Sequence, residues 1–326
     1  MNIKRIILIA VIALIVGLAY YLFRPLSNAP APANFDCLSM EDGVLISKDS
    51  LPTPQRIYGM GLTYGKHLAE TASEYDPNAL PPIFKKELTS VTYHNATVRM
   101  PSMDEMVLGA QQLESEVATK IKADYPDMNP MLDYEVELGV VLLEDVRADD
   151  LAKDDFIPPL GFFITNDLSS RSIALLGEGT NQRYEYWGVS KSFDGFMPMS
   201  TQIWIPNTPT STCIPCVKIE TYVNDKMKQS QMTSDMIYTP LEMLRFIKQK
   251  YPNTPLEKGD MILTGTPGGV AIATPRHLVR LSNLVGMDRY QKLSIKLDGD
   301  LTPFLKSGDK VEVKAEGFEG VAVVIE

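Results

Sequence analysis

Two glutamates, Glu135 and Glu137, interrupt the otherwise apolar stretch DYEVELGVV. The stretch predicts a β-strand, and alternate residues of a strand point to the same side, so the two carboxylates project together, about 7 Å apart. One interpretation is the solvent-facing side of a half-buried strand. However, the strand continues into VVLLE without polar alternation, which indicates that it is covered on both faces beyond Leu138. Buried carboxylates this close repel each other and need a cation.

A third carboxylate, Asp167, follows an apolar run in the segment GFFITNDLSSR. Functional loops often begin directly after a buried strand, so Asp167 is a candidate to join Glu135 and Glu137. Three oxygen donors without histidine or cysteine favour a hard cation, Mg²⁺ or alternatively Mn²⁺ or Ca²⁺. The residues therefore predict a divalent-metal site made of carboxylates.

The elements that position these residues are mostly strands. Ser102 and Glu105 form a capping box at the start of an amphipathic helix that ends at Pro126, and a second helix is predicted over residues 240–250. Strands are predicted over residues 134–143, 160–165, 201–205, 217–223, 261–263 and 310–313. Because regular alternation of strands and helices is missing, the pattern favours an α+β, mainly β fold over a doubly wound sheet.

The N-terminal segment is the most apolar part of the chain. Residues 6–23 are apolar or aromatic, which predicts an uncleaved single-span membrane anchor in residues 1–24, with a cleaved signal peptide as the alternative. Lys4 and Arg5 outnumber Arg24, so the positive-inside rule predicts a domain outside the cytoplasm, on the periplasmic side if the source is bacterial. Residues 25–56 are rich in Pro, Ala and Ser and predict a tether, followed by the ordered domain at residues 57–326.

The net charge and the cysteines restrict the function further. The 326-residue chain has a formal net charge of −10, which argues against a general nucleic-acid binder. Cys213 and Cys216 form the motif CIPC, which fits a redox pair, half of a zinc site, or two small apolar residues at a strand entrance. Zinc is weakly supported because no second cysteine pair exists. A local disulfide becomes an option if the domain lies outside the cytoplasm.

Five segments, in this order and spacing, resemble the fumarylacetoacetate hydrolase family: DYEVELGVV, GFFITNDLSSR, KSFDGFMP, VNDKMKQSQMTSDMI and GDMILTGTPGGV. The resemblance covers about residues 57–326 and is closest in kind to acylpyruvate hydrolases and 2-hydroxyhepta-2,4-diene-1,7-dioate isomerases. It implies a catalytic domain of the mixed β-roll type with short helices, and a homodimer. Thr63 and Ser172 depart from the family's usual Asn and Asp. Residues 102–127 and 271–300 are longer than in compact members.

The resemblance also implies the roles of individual residues. Glu135, Glu137 and Asp167 match the residues that hold a divalent cation, usually Mg²⁺. Lys191, in KSFD, matches a lysine that helps to bind substrate and to stabilise developing negative charge. Taken without the resemblance, Lys191 would be interpreted as a surface lysine at a turn.

Two further positions are implied to contact or adjoin the substrate. Thr266 lies in TGTPGGV, a Gly/Pro turn whose hydroxyls and N–H groups are suited to face an anion. By resemblance, Thr266 contacts the substrate carboxylate. Arg171 matches an arginine that is either structural or close to the substrate.

An acid–base pair is indicated in GMGLTYGKHLAETAS, which resembles the family pattern GLNYxxHxxE. His67 and Glu70 are three residues apart, so on one helical turn they reach the same side. A carboxylate can hold the imidazole in one tautomer and make it a base that activates water. Without the resemblance, His67 would be interpreted as a surface histidine.

These expectations favour a metal-dependent hydrolase that cleaves a C–C bond in 2,4-diketo acids such as acylpyruvates. The same site is also suited to decarboxylation, tautomerisation, or isomerisation of a dienoic diacid. A third interpretation is a membrane-tethered binding protein without catalysis. Retention of His67, Glu70 and Lys191 argues against it, since a pure binder needs no acid–base pair.

Overall fold

The structure is a computed structural model that describes residues 3–23, 30–71, 73, 75–272, 295 and 304–326, with side chains from residue 12 onwards. The fold is mixed α+β with several sheets, as the sequence predicts. The α-helices within these ranges are α1 (Ile3–Phe23), α2 (Gly65–Glu70), α3 (Met103–Gln111), α4 (Val117–Asp124), α5 (Ala148–Leu151), α6 (Arg171–Leu176), α7 (Arg183–Ser190) and α8 (Pro240–Lys250).

Strands outnumber helices within the described residues. They are β1 (Asp36–Leu38), β2 (Gly43–Ser47), β3 (Ile57–Met60), β4 (Ile83–Lys86), β5 (Val91–Thr92), β6 (Thr97–Val98), β7 (Leu132–Asp133), β8 (Val136–Leu142), β9 (Leu160–Asn166), β10 (Ser169–Ser170), β11 (Met197–Pro198), β12 (Gln202–Pro206), β13 (Cys213–Pro215), β14 (Lys218–Val223), β15 (Lys226–Met232), β16 (Met261–Leu263), β17 (Lys310–Ala315) and β18 (Val321–Ile325).

Two large sheets organise the strands. The seven-stranded sheet has the order β2-β12-β9-β8-β16-β3-β4, and the five-stranded sheet has the order β15-β14-β17-β18-β6. Neighbours are antiparallel except for the parallel pairs β16–β3 and β18–β6. Three two-stranded pairs, β1-β13, β10-β7 and β11-β5, complete the described topology. Strand β8 lies in the middle of the larger sheet, so the stretch that carries the two glutamates is fixed on both sides.

The main core lies between the two large sheets. Leu138 and Val140 of β8 belong to the same apolar cluster as Ile219 of β14 and Val313 of β17. The other face of β8 is covered as well, because Val141 belongs to a second cluster and all seven residues of the strand are buried. The prediction that this strand is covered on both faces is confirmed. Each such apolar side chain contributes about 1.5–3 kcal/mol through burial.

Gly139 allows a close packing contact next to the glutamates. It shares the side of β8 that carries Glu135 and Glu137, since the spacing is two residues. A Cβ atom at Gly139 would lie 2.3 Å from the ring of Phe163 on β9, so only glycine leaves room for that ring. Phe163 therefore covers this side of the strand at Gly139.

The helices agree with the sequence in part. Helix α8 spans residues 240–250 as predicted, and Ser102 and Glu105 form the predicted capping box at the start of α3. The single helix predicted from Ser102 to Pro126 is instead divided into α3 and α4. Between them, Leu113 donates to the carbonyl of Ala110, so turns of the i to i+3 type replace the α-helical pattern.

The prediction of an N-terminal membrane anchor is wrong. Among the residues that the structure describes, no helix combines the length and the apolar character needed to cross a bilayer. The predicted membrane tether, the transmembrane assignment and the localisation outside the cytoplasm that rested on them are wrong as well.

The segment predicted as a tether contains two strands. Strand β2 pairs with β12 at the edge of the seven-stranded sheet, and β1 runs parallel to β13. A disulfide joins Cys37 of β1 to Cys216, and Cys213 is a buried free thiol. The two cysteines of CIPC therefore do not pair with each other. Local spacing cannot predict this bridge, because its cysteines are 179 residues apart.

Loss of the Cys37–Cys216 disulfide should destabilise the domain, because a bridge across 179 residues restricts the unfolded chain. We expect a reductant to lower the free energy of unfolding by about 2–4 kcal/mol, measured by chemical denaturation. The variant Cys37→Ser should have lost this stabilisation already and should not respond to reductant, whereas Cys213→Ala should keep the response. A reductant effect of full size in Cys37→Ser would contradict the prediction.

Candidate active site

Three carboxylates, Glu135, Glu137 and Asp167, meet at the start of β8; we call them the acidic triad. Asp167 follows directly on β9, which pairs with β8, and its N–H donates to the carbonyl of Glu135 at 2.8 Å. One carboxylate oxygen from each residue lies within 4.8 Å of the others. The three residues are 5%, 1% and 0% exposed. Strand pairing therefore brings the predicted carboxylates together in a buried cluster.

Buried cations surround the acidic triad. Lys191, which caps the C-terminus of α7, donates from Nζ to Glu135 Oε2 and to Asp167 Oδ2, both at 2.6 Å. Lys86 of β4 pairs with the other oxygen of Asp167, and Arg171 at the start of α6 pairs with the other oxygen of Glu135. Two of the three carboxylates are thus compensated by the chain itself.

Glu137 has a different environment. Its Oε2 accepts a hydrogen bond from the N–H of Gly265 at 2.7 Å, and within the described residues it forms no ion pair. Burial raises the pKa of Glu137 well above its ordinary value, and the charge of Asp167 raises it further. Burial also acts to raise the pKa of Glu135, but its cationic neighbours, Arg171 first, outweigh burial and lower it to about 2. Negative charge is therefore most costly at Glu137.

The acidic triad fits a divalent cation. Its carboxylates offer hard oxygen donors, which Mg²⁺, Mn²⁺ and Ca²⁺ prefer. A divalent cation beside Glu137 would favour the ionised form of that carboxyl group. Within the described cluster, four carboxylates face three cations; the members are Asp133, Glu135, Glu137 and Asp167, and Lys86, Arg171 and Lys191.

His67 and Glu70 lie on α2, with His67 Nδ1 3.8 Å from Glu70 Oε2, longer than a hydrogen bond. This Nδ1 is buried and has no hydrogen-bond partner in the described structure. Glu70 Oε2 accepts from the N–H of Gly269 at 2.8 Å, and Thr63, just before α2, donates to the carbonyl of Thr264 at 2.6 Å. The loop after β16 therefore fixes both ends of this short helix.

Gln229 of β15 connects this loop to β8. Its Nε2 donates to Thr266 Oγ1 at 2.8 Å and to the Pro267 carbonyl at 3.0 Å, while its Oε1 accepts from the N–H of Val136 at 3.0 Å and from the Thr221 hydroxyl at 2.7 Å. If the amide were flipped, its NH₂ group would face the N–H of Val136 and its oxygen would face the carbonyl of Pro267. Neither contact would be a hydrogen bond, so the unflipped orientation is the correct one. Since Thr266 accepts from Gln229, its own proton goes to the carbonyl of Val136, at 3.0 Å.

A cavity of about 420 Å³ opens beside these groups. The predicted site residues in its wall are His67, Glu135, Arg171, Lys191 and Thr266. The remaining predicted site residues lie next to residues of the wall: Glu70 is 3.8 Å from His67 Nδ1, Asp167 pairs with Lys191, and Glu137 has a carboxylate oxygen within 4.8 Å of one of Glu135. The structure therefore gathers the predicted residues around one cavity, whose wall combines an imidazole, cationic side chains and one carboxylate of the acidic triad.

Three residues of this site were not predicted. Lys86 is only 5% exposed. It lies two residues after the buried Phe84 on β4, so the alternation of a strand could have predicted that it points inward. Asp133 binds Arg171 Nε at 2.8 Å and accepts from the N–H of Ala271 at 2.8 Å, which ties the arginine to the loop after β16. Gln229 carries no local signal, because its partners lie on three other elements.

Most of the chain matches one protein family. The family described as fumarylacetoacetate (FAA) hydrolase, C-terminal, matches residues 56–325. The chain therefore belongs to the fumarylacetoacetate hydrolase family and is an enzyme of that family, as the motifs predict. The alternative of a non-catalytic binding protein is accordingly set aside.

Curated relatives have several activities. The chain is 28% identical over 222 residues to oxaloacetate tautomerase YisK of Bacillus subtilis; the match spans 68% of this chain and 61% of that protein. It is 26% identical over 246 residues to the mitochondrial oxaloacetate decarboxylase of Dictyostelium discoideum, spanning 75% of this chain and 95% of that protein.

Solved structures share the fold. A 5-carboxymethyl-2-hydroxymuconate delta-isomerase from Mycobacterium smegmatis superposes with a TM-score of 0.50 at 22% identity, over 84% of this chain and 78% of that chain. A proposed fumarylpyruvate hydrolase from Burkholderia cenocepacia gives a TM-score of 0.52 at 19% identity, over 90% of this chain and 95% of that chain.

Removing single carboxylates from the acidic triad should have opposite effects on the metal-free protein. Asp167→Asn leaves Lys86 and Lys191 buried without a full partner, so we expect a loss of about 3 kcal/mol in the free energy of unfolding. The pKa of Glu137 is raised by folding, so its ionised form opposes folding above its ordinary pKa. Glu137→Gln should therefore stabilise the protein by about 1 kcal/mol at pH 8.

Chemical denaturation in the presence of a chelator measures both changes. The matched control is Glu316→Gln, which alters an exposed glutamate and should leave stability unchanged. Equal destabilisation by Glu137→Gln and Asp167→Asn would contradict the charge distribution described for the acidic triad.

Proposed function

We propose that this enzyme is a divalent-metal-dependent hydrolase that cleaves a C–C bond in 2,4-diketo acids, with Mg²⁺ as the ion. The supporting observation is that the acidic triad and the pair His67–Glu70 meet at one cavity. Water activation and stabilisation of negative charge are thereby available at one place. A hydrolase needs both, because it must add water to one carbonyl and release the other part of the substrate as an enolate.

The acidic triad would hold the metal ion, which supplies Lewis acidity to the 2-oxo acid end of the substrate when it is bound. Arg171 orients Glu135 from the side of α6, and Gln229 orients Thr266. Since the hydroxyl proton of Thr266 goes to Val136, Thr266 donates to a substrate carboxylate only by giving up that bond. Thr266 otherwise offers an acceptor to a protonated group of the substrate.

His67 acts as the base in this mechanism. Its Nδ1 faces Glu70, so Nε2 is the nitrogen that takes a proton from water. The water oxygen forms a bond to the distal carbonyl carbon, and the C–C bond between this carbon and the neighbouring CH₂ then breaks. The electron pair of that bond passes to the departing enolate, which takes up a proton to become a 2-oxo acid, while the acyl part leaves as a carboxylic acid.

Lys191 stabilises the negative charge that develops on the enolate. Burial acts to lower its pKa, but Asp167 and Glu135 outweigh burial and raise the pKa above the ordinary value, so the ammonium group stays charged at neutral pH. It lies in the cavity wall beside Glu135. A fixed cation at this point stabilises charge without reorganisation of solvent.

A second function, tautomerisation or decarboxylation of oxaloacetate, is supported by the two relatives with those activities. Both reactions need a stabilised enolate and a proton transfer, but no attack by water. They therefore use Lys191 and the acidic triad in the same way but do not need the pair His67–Glu70 to activate water. The homodimer that the resemblance implies stays a prediction.

Substitutions should separate metal binding from catalysis. Glu135→Gln and Asp167→Asn should abolish metal-dependent turnover, because each replaces a charged carboxylate ligand of the ion by a neutral amide. His67→Ala should lower kcat by about 10²–10⁴-fold, the usual effect of losing a general base, while the stabilisation of the protein by Mg²⁺ remains. Release of pyruvate from acetylpyruvate measures turnover, and the unfolding temperature with and without Mg²⁺ measures binding.

The same assay distinguishes the two candidate functions. Release of pyruvate from acetylpyruvate supports the hydrolase. Enol–keto conversion or loss of CO₂ from oxaloacetate, with no hydrolysis of any diketo acid, would support the second function instead. Unchanged activity in Glu135→Gln and Asp167→Asn would exclude the metal-dependent mechanism for either reaction.

A further inference from the structure

One face of α7 extends along the cavity away from the reacting groups. Arg183, Trp187 and Lys191 are spaced by four residues, so they follow one another on the same side of the helix. All three line the cavity. At 1.5 Å per residue, Trp187 lies about 6 Å and Arg183 about 12 Å along the axis from Lys191. The helix therefore leads from the acidic triad to a more distant part of the cavity.

The nearer part of this face is aromatic. Trp187 packs edge to face with Phe84, at 6.4 Å between ring centroids, and with Tyr184, at 5.5 Å. Lys191 Nζ lies 5.6 Å from the centroid of Phe84, so the aromatic rings are directly adjacent to the acidic triad and Lys191. We call the part of the cavity bounded by Phe84, Tyr184 and Trp187 the aromatic compartment.

Gly61 makes room for this arrangement. A Cβ atom at Gly61 would lie 2.6 Å from the indole ring of Trp187, so any other residue would push the ring aside. Gly61 follows directly on β3 and itself lines the cavity. Trp187 is half-buried and is held against the end of β3, which fixes the position of its ring for contact with a ligand.

The described cations that lie over the rings of the aromatic compartment are each paired with a carboxylate. Arg183 donates from Nε to Glu178 Oε1 at 2.8 Å, and its guanidinium lies over the rings of Trp187 and Tyr184, at 5.4 and 5.8 Å. The described cavity wall also contains Asp76. Arg183 is therefore already compensated by a carboxylate. A second carboxylate on a substrate would compete with Glu178 rather than meet an unpaired cation.

The volume agrees with a larger substrate. A cavity of about 420 Å³ lies in the range of about 300–1,000 Å³ that accommodates drug-sized ligands. A four-carbon diacid such as oxaloacetate would occupy the end near the acidic triad and leave the aromatic compartment to water. A substrate that reaches Trp187 must carry a substantial group on its distal carbonyl.

We infer that the preferred substrate is a 2,4-diketo acid whose distal acyl group is uncharged and aromatic, with its ring stacked on Trp187. This inference rests on the proposed function and adds the chemistry of the distal group. Trp187 is the residue that determines specificity, and Glu178 determines that a distal carboxylate is disfavoured.

Binding to the full-length His67→Ala variant with Mg²⁺, in which hydrolysis is slow enough for the probes to persist, tests this inference when it is measured by calorimetry. The probes are benzoylpyruvate, acetylpyruvate and fumarylpyruvate, which share the 2,4-diketo acid end and differ in the distal group. Benzoylpyruvate should bind at least about tenfold more tightly than either of the others, because a stacked ring is removed from water. Equal or weaker binding of benzoylpyruvate, or no binding, would overturn the inference.

Two substitutions test the roles of individual residues. Trp187→Ala should reduce the benzoyl-to-acetyl preference to about threefold or less, and Trp187→Phe should retain most of it. Glu178→Gln releases Arg183, so affinity for fumarylpyruvate should rise by about tenfold. The matched control Asp150→Asn alters a surface pair with Lys153 and should change neither value. An unchanged preference in the folded Trp187 variants, or no gain in Glu178→Gln, would count against the inference.

Turnover separates this inference from the proposed function. If acetylpyruvate is hydrolysed but benzoylpyruvate has no advantage in binding, the hydrolase assignment holds and the inference fails. If benzoylpyruvate binds preferentially through Trp187 but no diketo acid releases pyruvate, the inference holds and the hydrolase assignment fails.

Discussion

Electrostatic repulsion among Glu135, Glu137 and Asp167 shapes the surroundings of this site. Three carboxylates within 4.8 Å of one another, all buried, would be strongly destabilising without compensation. The chain supplies Lys86, Lys191 and Arg171, but it leaves Glu137 with a backbone N–H as its described partner. This incomplete compensation is what makes the cluster suited to a divalent cation. A cluster whose carboxylates were all paired with cations of the chain would not need a metal ion.

The remaining parts of the site depend on how β8 is held. Strand pairing with β9 brings Asp167 to Glu135, and Gln229 binds Val136 between the two glutamates. The same glutamine orients the loop after β16, which in turn fixes Thr63 and Glu70 at the two ends of α2. His67 and the acidic triad therefore share one hydrogen-bonded frame, although they come from distant parts of the sequence. This common frame explains how a helix of six residues holds an imidazole in place.

Parts of this arrangement follow from the sequence. Strand alternation predicts that Glu135 and Glu137 share a side, and the capping box of Ser102 and Glu105 correctly predicts where α3 begins. The fumarylacetoacetate hydrolase family is recognised from its motifs. The Cys37–Cys216 bridge and the contacts of Gln229 could not be predicted, because they join elements that are far apart in the sequence. The membrane anchor was predicted from the apolar run of residues 6–23 and its flanking charges, but no described helix meets the length and hydropathy that a span requires.

The position of a bound metal ion tests the central claim most directly. A crystal grown with Mn²⁺ would locate the ion by its anomalous scattering. The account predicts one strong peak per chain at coordination distance from oxygens of Glu135, Glu137 and Asp167. A fully occupied peak elsewhere on the chain, or a strong peak coordinated by none of these carboxylates, would contradict it.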